Sequence, residues 1–202
     1  MEKESYHHGT LREELIEKGI QLINEEGFQK FSLRKVAALC QVSHTAPYKH
    51  FKNKEELMEA IGDYILQDFS KAIRRAAEEN PGQGCLLAIG TRYVTYMIEH
   101  KDYFNFLFAG PNKAVVSFEN GKFSYQEGHP FGVFNEVATG ILQKYISEEE
   151  PRNEVILQCW CEVHGLAHLI ISGILECTEA YEKITQSMLY IQMNRFGGDR
   201  PL

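Results

Sequence analysis

The sequence predicts an all-α fold, and three observations support this prediction. Apolar residues recur at helical spacing in nearly every segment, with capping residues before them and Gly or Pro after them. Alternation of apolar and polar residues, the pattern of a strand, is confined to the short stretch 122–125. Two short helices joined by a tight turn precede a long helix, which is the order of a helix-turn-helix unit. We therefore expect a three-helix head at residues 1–54 and a helical body at residues 55–202.

The composition is that of a globular protein. Of the 202 residues, 44% are hydrophobic, which is enough to form a core. The first ten residues are too polar for a signal peptide, and the uncharged run 163–175 is too short to cross a bilayer. Five cysteines without a secretion signal favour free thiols over disulfides. We expect a soluble, cytoplasmic protein without a membrane partner.

The charge is divided unevenly along the chain. The net charge is −7. Residues 1–54 hold nine Lys and Arg against seven Asp and Glu, whereas residues 55–202 hold twelve against twenty-one. The acidic body argues against a protein that coats DNA with its whole surface. It is compatible with a small basic head that binds DNA.

The first predicted helix begins at a capping box and ends at a glycine. Thr10 is the expected cap, with Glu13 reaching back to it. A stripe of Leu and Ile residues follows at helical spacing. Gly27 stands where a helix end commonly needs a positive φ.

Three further helices complete the helix-turn-helix head and its connection to the body. We expect a second helix at 33–40 capped by Ser32, a tight turn at Gln41-Val42, a third short helix capped by Ser43, and a long fourth helix from Asn53 to about 80. The body should contain helices at about 83–99, 101–109, 131–147, 152–176 and 178–196, with a loop at 110–130.

Pro47 lies near the start of the third predicted helix. With Ser43 as the cap, this proline falls in the first helical turn, where a missing N–H costs little; deeper in a helix it would cost about 3 kcal/mol. In a helix-turn-helix unit the second helix of the motif enters the major groove by its N-terminal end. An apolar ring at this position can meet a thymine methyl group.

The head resembles the TetR family of bacterial transcriptional regulators. The matching residues are Val42-Ser43, Tyr48-x-His50-Phe51, Lys54-Glu55-x-Leu57, Phe31-Ser32-Leu33-Arg34-x-Val36-Ala37 and Tyr6-His7-His8-Gly9-x-Leu11-Arg12. Further along, Trp160-x-x-x-His164-Gly165 is similar to a Trp-His-Gly motif in the C-terminal domain of one branch of that family. The family usually has glycine at the position of Gln41, and a glutamine with positive φ would cost on the order of 1 kcal/mol.

The resemblance implies a set of DNA contacts. They are Ser32, Arg34, Ser43, His44, Thr45, Tyr48, Lys49, His50 and Lys54, to which the argument above adds Pro47. Lys49 has the chemistry to read guanine O6 and N7, and Thr45 a base edge or a phosphate. Tyr48, His50 and Lys54 have side chains that can bind DNA phosphates, although Tyr48 and His50 can also be packing residues. Phe51 is predicted to be core.

The middle of the chain is crowded with aromatic residues. Most must form a core, but their density beside a glycine-rich loop suits a pocket for an apolar or aromatic effector. The predicted ligand-binding residues are Tyr93, Tyr96, Met97, Phe104, Phe108, Phe134, Trp160 and His164.

Metal binding and catalysis have weak support. Cys161, His164 and His168 share one helical stripe, but a fourth ligand is not apparent, so we expect buried thiols and a core histidine, and neither metal nor cofactor. The chain lacks a nucleophile elbow, a phosphate loop and paired carboxylates, which argues against an enzyme.

The sequence therefore predicts a ligand-responsive repressor. Its expected partners are a palindromic double-stranded operator, a small apolar or aromatic effector and a second copy of itself. Dimerisation is assigned to the last two helices, because the first of them is apolar nearly all round. The alternatives are a small helical metal- or ligand-binding enzyme with a degenerate helix-turn-helix, or a purely structural interaction protein.

Overall fold

A computed structural model describes residues 11–82, 84–109, 115–127, 129–177 and 180–196. Within them the protein is almost entirely helical, which confirms the predicted fold class. The helices are α1 Leu11–Glu26, α2 Leu33–Leu39, α3 Lys54–Glu79, α4 Gly84–Glu99, α5 Lys101–Ala109, α6 Pro130–Leu142, α7 Glu149–Ile171 and α8 Tyr181–Phe196. Two 3₁₀ turns, Phe28–Lys30 and Ala46–Lys49, lie in the N-terminal part. The predicted cap Thr10 and the motif residues 6–10 lie outside the described residues.

A short β-hairpin was only half predicted. Strand β1, Val116–Glu119, pairs antiparallel with β2, Lys122–Tyr125, and only the second was expected to be extended. The turn is Asn120-Gly121, with φ of 50° and 71°. This dipeptide is the preferred two-residue hairpin turn, because both positions need positive φ. The turn lies on α7, where Asn153 Nδ2 donates to the Gly121 carbonyl at 2.7 Å.

The chain forms two compact units. The first comprises residues 11–65 together with 105–109, and the second comprises residues 66–104 and those after 114. Helix α3 begins in the first unit and continues into the second after Ile65. The predicted division at residues 54 and 55 coincides with the first turn of α3.

The first unit is built around α1, α2 and the start of α3. Its buried apolar side chains come from all three helices and from the segment before α3: Leu15, Ile16, Ile20, Leu33, Val36, Ala37, Phe51, Leu57 and Ile61. Gly19 permits close packing, because a Cβ there would lie 2.7 Å from Ile61 Cδ1. Gly27, with φ of 81°, ends α1 as predicted, and its N–H donates to the Ile23 carbonyl. These contacts make the head a small three-helix core.

The second unit is organised around α4, which packs on α7 and α8. Gly90 lies at the contact with α8, where an added Cβ would meet Leu189 Cδ1 at 2.3 Å. Ile89, Val94 and Val163 are buried in the same core. The absence of a side chain at Gly90 therefore sets how closely α4 and α8 approach.

Helix α7 differs from the prediction at both ends. It begins at Glu149 and ends at Ile171, whereas helix was expected over 152–176. Gly173 has φ of 71°, and the Ser172 hydroxyl donates to the His168 carbonyl, so the chain turns before Ile174. By length and composition α7 is the single described helix able to cross a bilayer, a criterion that core helices of soluble proteins also meet.

Gln41 has φ of 56°, the left-handed conformation that the resemblance implied for this position. Because this conformation strains a residue with a Cβ, Gln41→Gly should raise the free energy of unfolding by about 0.5–1 kcal/mol. Urea denaturation of both proteins measures the difference. Gln21→Gly, at an exposed site inside α1, is the control and should lower stability by about 1 kcal/mol. A loss of stability for both variants would contradict the prediction.

Candidate DNA-binding surface and effector site

The segment between α2 and α3 is a tight 3₁₀ turn, Ala46–Lys49, which we call the recognition turn. A third short helix capped by Ser43 was predicted; the helical turn is there, but Ser43 is not its cap. The N-cap position is Thr45, and the Ser43 hydroxyl lies 3.1 Å from the Thr45 hydroxyl. Successive bonds from Tyr48 N–H to the Thr45 carbonyl and from His50 N–H to the Pro47 carbonyl hold the turn. Pro47 lies in its first turn, as expected.

Two residues fix the recognition turn to the core of the head. Phe51 is buried, as predicted, and the Arg12 guanidinium lies 5.2 Å from the centre of its ring. Pro47 is also buried, so the predicted contact between its ring and a thymine methyl was wrong. The missing N–H and fixed φ of a proline suit this position, and its ring contributes packing.

The other predicted contacts on and beside the recognition turn are exposed. They are Ser43, His44, Thr45, Tyr48, Lys49 and His50. The Tyr48 side chain is 59% exposed, so the packing role considered for it does not apply. The turn thus presents hydroxyl, imidazole, phenol and ammonium groups to solvent.

Helix α2 adds residues at its N-terminal end. Ser32 caps this helix and its hydroxyl accepts a hydrogen bond from the Lys35 N–H at 3.4 Å. Arg34 is exposed in the first turn. Lys35 pairs with Glu26 at 2.5 Å, whereas Arg34 makes no ion pair within the described residues. Free N–H groups and a positive dipole at a helix N-terminus favour phosphate binding.

Two side chains, Asn53 and Glu56, hold the backbone at the start of helix α3. The Asn53 side chain accepts from the Glu56 N–H at 2.9 Å, and the Glu56 carboxylate accepts from the Lys52 N–H at 2.6 Å. These bonds hold the exposed Lys54 in the first turn, where its amine lies 3.8 Å from Glu55. The predicted start of this helix is confirmed.

The charge of this surface is one-sided. Residues 27–54 contain six Lys and Arg and neither Asp nor Glu. On either side of this stretch, Glu26 at the end of α1 pairs with Lys35, and Glu55 in the first turn of α3 lies near Lys54. A basic surface with exposed donors at a helix-turn-helix unit has the electrostatic and hydrogen-bonding properties of a DNA-binding site.

Four predicted effector residues form one cluster in the second unit. The Tyr93 hydroxyl lies 2.8 Å from His164 Nδ1, and the Phe104 ring stacks on the His164 ring at 5.2 Å between centroids. Trp160 lies 6.0 Å from His164 and packs on Phe131 at 4.8 Å. We call Tyr93, Phe104, Trp160 and His164 the His164 cluster.

Burial keeps the polar groups of the His164 cluster uncharged. It raises the pKa of Tyr93, against the opposing effect of a hydrogen bond from Trp160. Burial, with a smaller contribution from His168, lowers the pKa of His164. A neutral phenol and a neutral imidazole surrounded by rings suit a ligand that is apolar or aromatic with few polar atoms.

The remaining predicted effector residues are distributed differently. Tyr96 joins the cluster through Phe69, which lies between it and Tyr93 at 5.0 and 5.3 Å. Met97 and Phe134 are buried core residues. Phe108 belongs to the first compact unit, apart from the unit that contains His164. The predicted set therefore combines one cluster with surrounding core.

Comparison with known proteins identifies the family. The family model described as bacterial regulatory proteins, tetR family, matches residues 15–61. A second, described as tetracyclin repressor-like, C-terminal domain, matches residues 86–189, which is more than half of the chain. The chain belongs to the tetR family of bacterial regulatory proteins.

Relatives agree with this assignment. The nicotine-responsive repressor HdnoR of Paenarthrobacter nicotinovorans is 34% identical over 67 residues, covering 33% of this chain and 34% of its own. The regulator UidR of Escherichia coli K12 is 33% identical over 79 residues, covering 39% and 35%. The chain thus spans about a third of the length of the curated relatives it matches.

Solved structures support the fold over the whole chain. A protein of unknown function from Rhodococcus sp. RHA1 has a TM-score of 0.75 at 20% identity, covering 96% of this chain and all of the other. The fatty acid degradation regulator FadR of Bacillus halodurans has a TM-score of 0.64 at 12% identity, covering 98% and 100%. At these identities the likeness shows the fold.

The cysteines of α7 in this TetR-family protein lie in different environments. Cys159 is buried, and burial raises its pKa to about 12, whereas Cys161 is exposed. His164 is engaged with Tyr93. Within the described residues, His, Cys, Asp and Glu side chains do not gather in threes at metal-binding distance.

His129 is a buried histidine that sequence reasoning did not single out. It caps α6 of the TetR-family body, and its Nδ1 accepts from the Phe131 N–H at 3.0 Å. Its Nε2 is buried without a hydrogen-bond partner among the described residues. Burial lowers its pKa from 6.5 to about 4. The residue before Pro130 at a helix start was the only available signal.

The free energy of unfolding should therefore fall as the pH drops from about 6.5 to about 4. Over this range the unfolded chain binds a proton at residue 129 and the folded chain does not, which costs up to about 3 kcal/mol. Urea denaturation at each pH measures the loss. His129→Asn keeps a capping acceptor and should flatten the profile, while His44→Asn, at an exposed site, should not. Equal profiles for all three proteins would contradict this.

Proposed function

We propose that this protein is a dimeric, cytoplasmic transcriptional repressor that binds a palindromic operator and is released by a small apolar or aromatic molecule. The observation that carries the proposal is the exposed surface around the recognition turn, where residues 27–54 hold six Lys and Arg and neither Asp nor Glu, in a head that belongs to the tetR family. Burial of Phe51 and Pro47 fixes this surface to the core, so its donors are preorganised for DNA.

Within this proposal the head residues divide into base readers and phosphate contacts. Lys49 and Thr45 lie on and beside the recognition turn, the part of a helix-turn-helix that enters the major groove, and they read base edges. Ser32, Arg34 and Lys54 lie at the N-terminal ends of α2 and α3 and hold phosphates. Tyr48 and His50 bind the backbone on either side of Lys49.

Dimerisation through α7 and α8 is supported by apolar groups left in solvent. Leu169 on α7 and Tyr190 and Ile191 on α8 are large, exposed residues. Only a third of the apolar stretch of α7 is buried within one chain. Gly165 and Ser172 on α7 lack large side chains and allow a second helix to approach closely. We call this surface the α7–α8 face; its proposed occupant is the same face of a second copy.

The effector is proposed to bind at the His164 cluster. Its rings provide apolar contact, and the Tyr93–His164 pair provides one donor and one acceptor. Phe104 belongs to α5, whereas Tyr93 belongs to α4 and the histidine to α7. A ligand that spreads these rings changes the packing between three helices of the body.

Release from DNA is proposed to follow from the way helix α3 connects the head to the body. A dimer binds both half-sites of an operator when its two recognition turns are separated by about 34 Å or by a multiple of that distance. Helix α3 runs without interruption from Lys54 to Glu79 and joins head to body. An effector that prefers a differently spaced form by about a hundredfold supplies about 2.7 kcal/mol against DNA binding. By reciprocity, operator must weaken effector binding by the same factor.

The test is selection of bound DNA from a random pool, followed by a screen for molecules that release it. A palindromic consensus, bound with strong salt dependence, is the expected result. An enzyme with a degenerate head would select no consensus sequence. For a purely structural protein, no small molecule would release the selected DNA. Either outcome would overturn the proposal.

A further inference from the structure

The imidazole of His129 has one ring nitrogen that is hydrogen-bonded and one that is not. Nδ1 accepts from the Phe131 N–H at 3.0 Å and thereby caps α6. Nε2 is buried and has no hydrogen-bond partner among the described residues. Because Nδ1 acts as an acceptor, the proton of the neutral imidazole is on Nε2. The side chain therefore carries a buried N–H donor that lacks an acceptor within the described part of the chain.

The capping role alone does not account for a histidine at this position. Asn, Asp and Ser are the preferred caps of a helix N-terminus, and their short side chains would cap α6 without burying a second polar atom. A buried donor without an acceptor destabilises the folded state, since it has given up its hydrogen bond to water. An acceptor supplied by a bound molecule would offset that loss.

The surrounding backbone holds the His129 ring in one position. Its N–H donates to the Gln126 carbonyl at 3.0 Å, and its carbonyl accepts from the Gly132 N–H at 2.8 Å. The residue is only 5% exposed, and turning the ring toward solvent would break the bond between Nδ1 and Phe131. The donor is thus preorganised, which lowers the entropic cost of binding an acceptor.

Aromatic rings connect His129 with the His164 cluster. The Tyr125 ring of β2 lies 6.3 Å from the imidazole and 5.4 Å from the Phe131 ring. Phe131 in turn packs on Trp160, a member of the His164 cluster, at 4.8 Å. A molecule bound against Trp160 and Phe131 therefore extends toward the part of the body that holds the unpaired N–H.

We propose that His129 Nε2 is a hydrogen-bond donor of the effector site, and that the effector is a neutral aromatic molecule with a carbonyl oxygen. This inference rests on the proposed binding of an effector at the His164 cluster. The N–H selects an acceptor oxygen, and the rings select an aromatic group. Because burial lowers the pKa of His129 to about 4, the imidazole offers no positive charge to a carboxylate, so the oxygen is uncharged.

Titration of the full chain with acetophenone and isopropylbenzene tests the proposal. These compounds have nearly the same shape and differ in the carbonyl oxygen. His129→Asn keeps a capping acceptor, because the amide oxygen can take the place of Nδ1, but it has no donor at the position of Nε2. The variant should bind acetophenone about tenfold less tightly, equivalent to about 1.4 kcal/mol, and isopropylbenzene as tightly as before. Ligand-observed NMR measures both affinities.

Two further variants establish where the compounds bind. Trp160→Ala should weaken binding of both, because both are proposed to lie against this ring. Glu136→Gln, at an exposed position of the same helix as the cap, is the control and should change neither affinity. Circular dichroism establishes that the variants fold. In the unmodified protein, acetophenone but not isopropylbenzene should shift the nitrogen resonance of His129 Nε2, a measurement that needs no variant.

The outcomes separate this inference from the proposed effector site. If the unmodified protein binds both compounds and His129→Asn weakens both equally or neither, His129 is not the donor, and the site at Trp160 still stands. An unchanged Nε2 resonance at saturating acetophenone would overturn the inference in the same way. If neither compound binds saturably to the unmodified protein, the effector site is overturned together with the role of His129.

Discussion

Tyr190→Glu combined with Ile191→Glu is expected to convert the proposed dimer to a monomer and to abolish binding to the proposed operator. Both side chains are more than half exposed in the single chain and lie on the α7–α8 face. Twofold symmetry places each substitution in the interface twice. Disrupting one residue at the centre of an interface costs about 2 kcal/mol of the free energy of association. Because each substitution is present in both subunits, a single position already weakens the dimer by about 4 kcal/mol. This corresponds to about a thousandfold in the dimer dissociation constant.

Light scattering or sedimentation at micromolar concentration measures the mass, and a gel-shift titration measures operator affinity. Tyr145→Glu is the matched control, since Tyr145 is 47% exposed and Tyr190 is 55% exposed, but Tyr145 lies after α6 and outside the α7–α8 face. The control should remain dimeric and bind the operator. A wild-type monomer, or a double variant that stays dimeric, would remove this interface.

Lys49→Ala and Lys54→Ala are expected to weaken DNA binding in different ways. Lys49 belongs to the recognition turn, so its loss should remove preference at one position of each half-site, with a cost of about 1–3 kcal/mol. Lys54 lies in the first turn of α3, whose backbone is fixed by hydrogen bonds to the side chains of Asn53 and Glu56. Its loss should weaken binding to all sequences and lower the salt slope by about 1 for each contact.

Affinities for the selected operator, for single-base variants of it and for random DNA, measured over a range of salt, separate the two effects. Lys144→Ala, at an exposed lysine after α6, is the control for loss of one charge and should change neither quantity. If the two head variants lose the same affinity for specific and random DNA, Lys49 is not a base reader. If neither variant changes the salt slope, this face of the head does not contact the phosphate backbone.

The sequence by itself determined those features that local chemistry controls. The capping of α2 by Ser32 and of α3 by Asn53, and the end of α1 at Gly27, depend on residues within one turn of each other. Helical spacing of apolar residues likewise predicted the all-α class, because one buried stripe per helix suffices to specify it. The left-handed conformation of Gln41 was implied by the resemblance, because the family usually has glycine at this position.

Tertiary structure decided whatever depends on the surroundings of a side chain. Sequence alone treated Pro47 and Tyr48 as similar surface candidates, yet packing against the head buries the first and leaves the second 59% exposed. It treated eight effector residues as one set, yet Phe108 belongs to another unit. The burial of His129 was not predicted either, because burial depends on how the elements pack against one another.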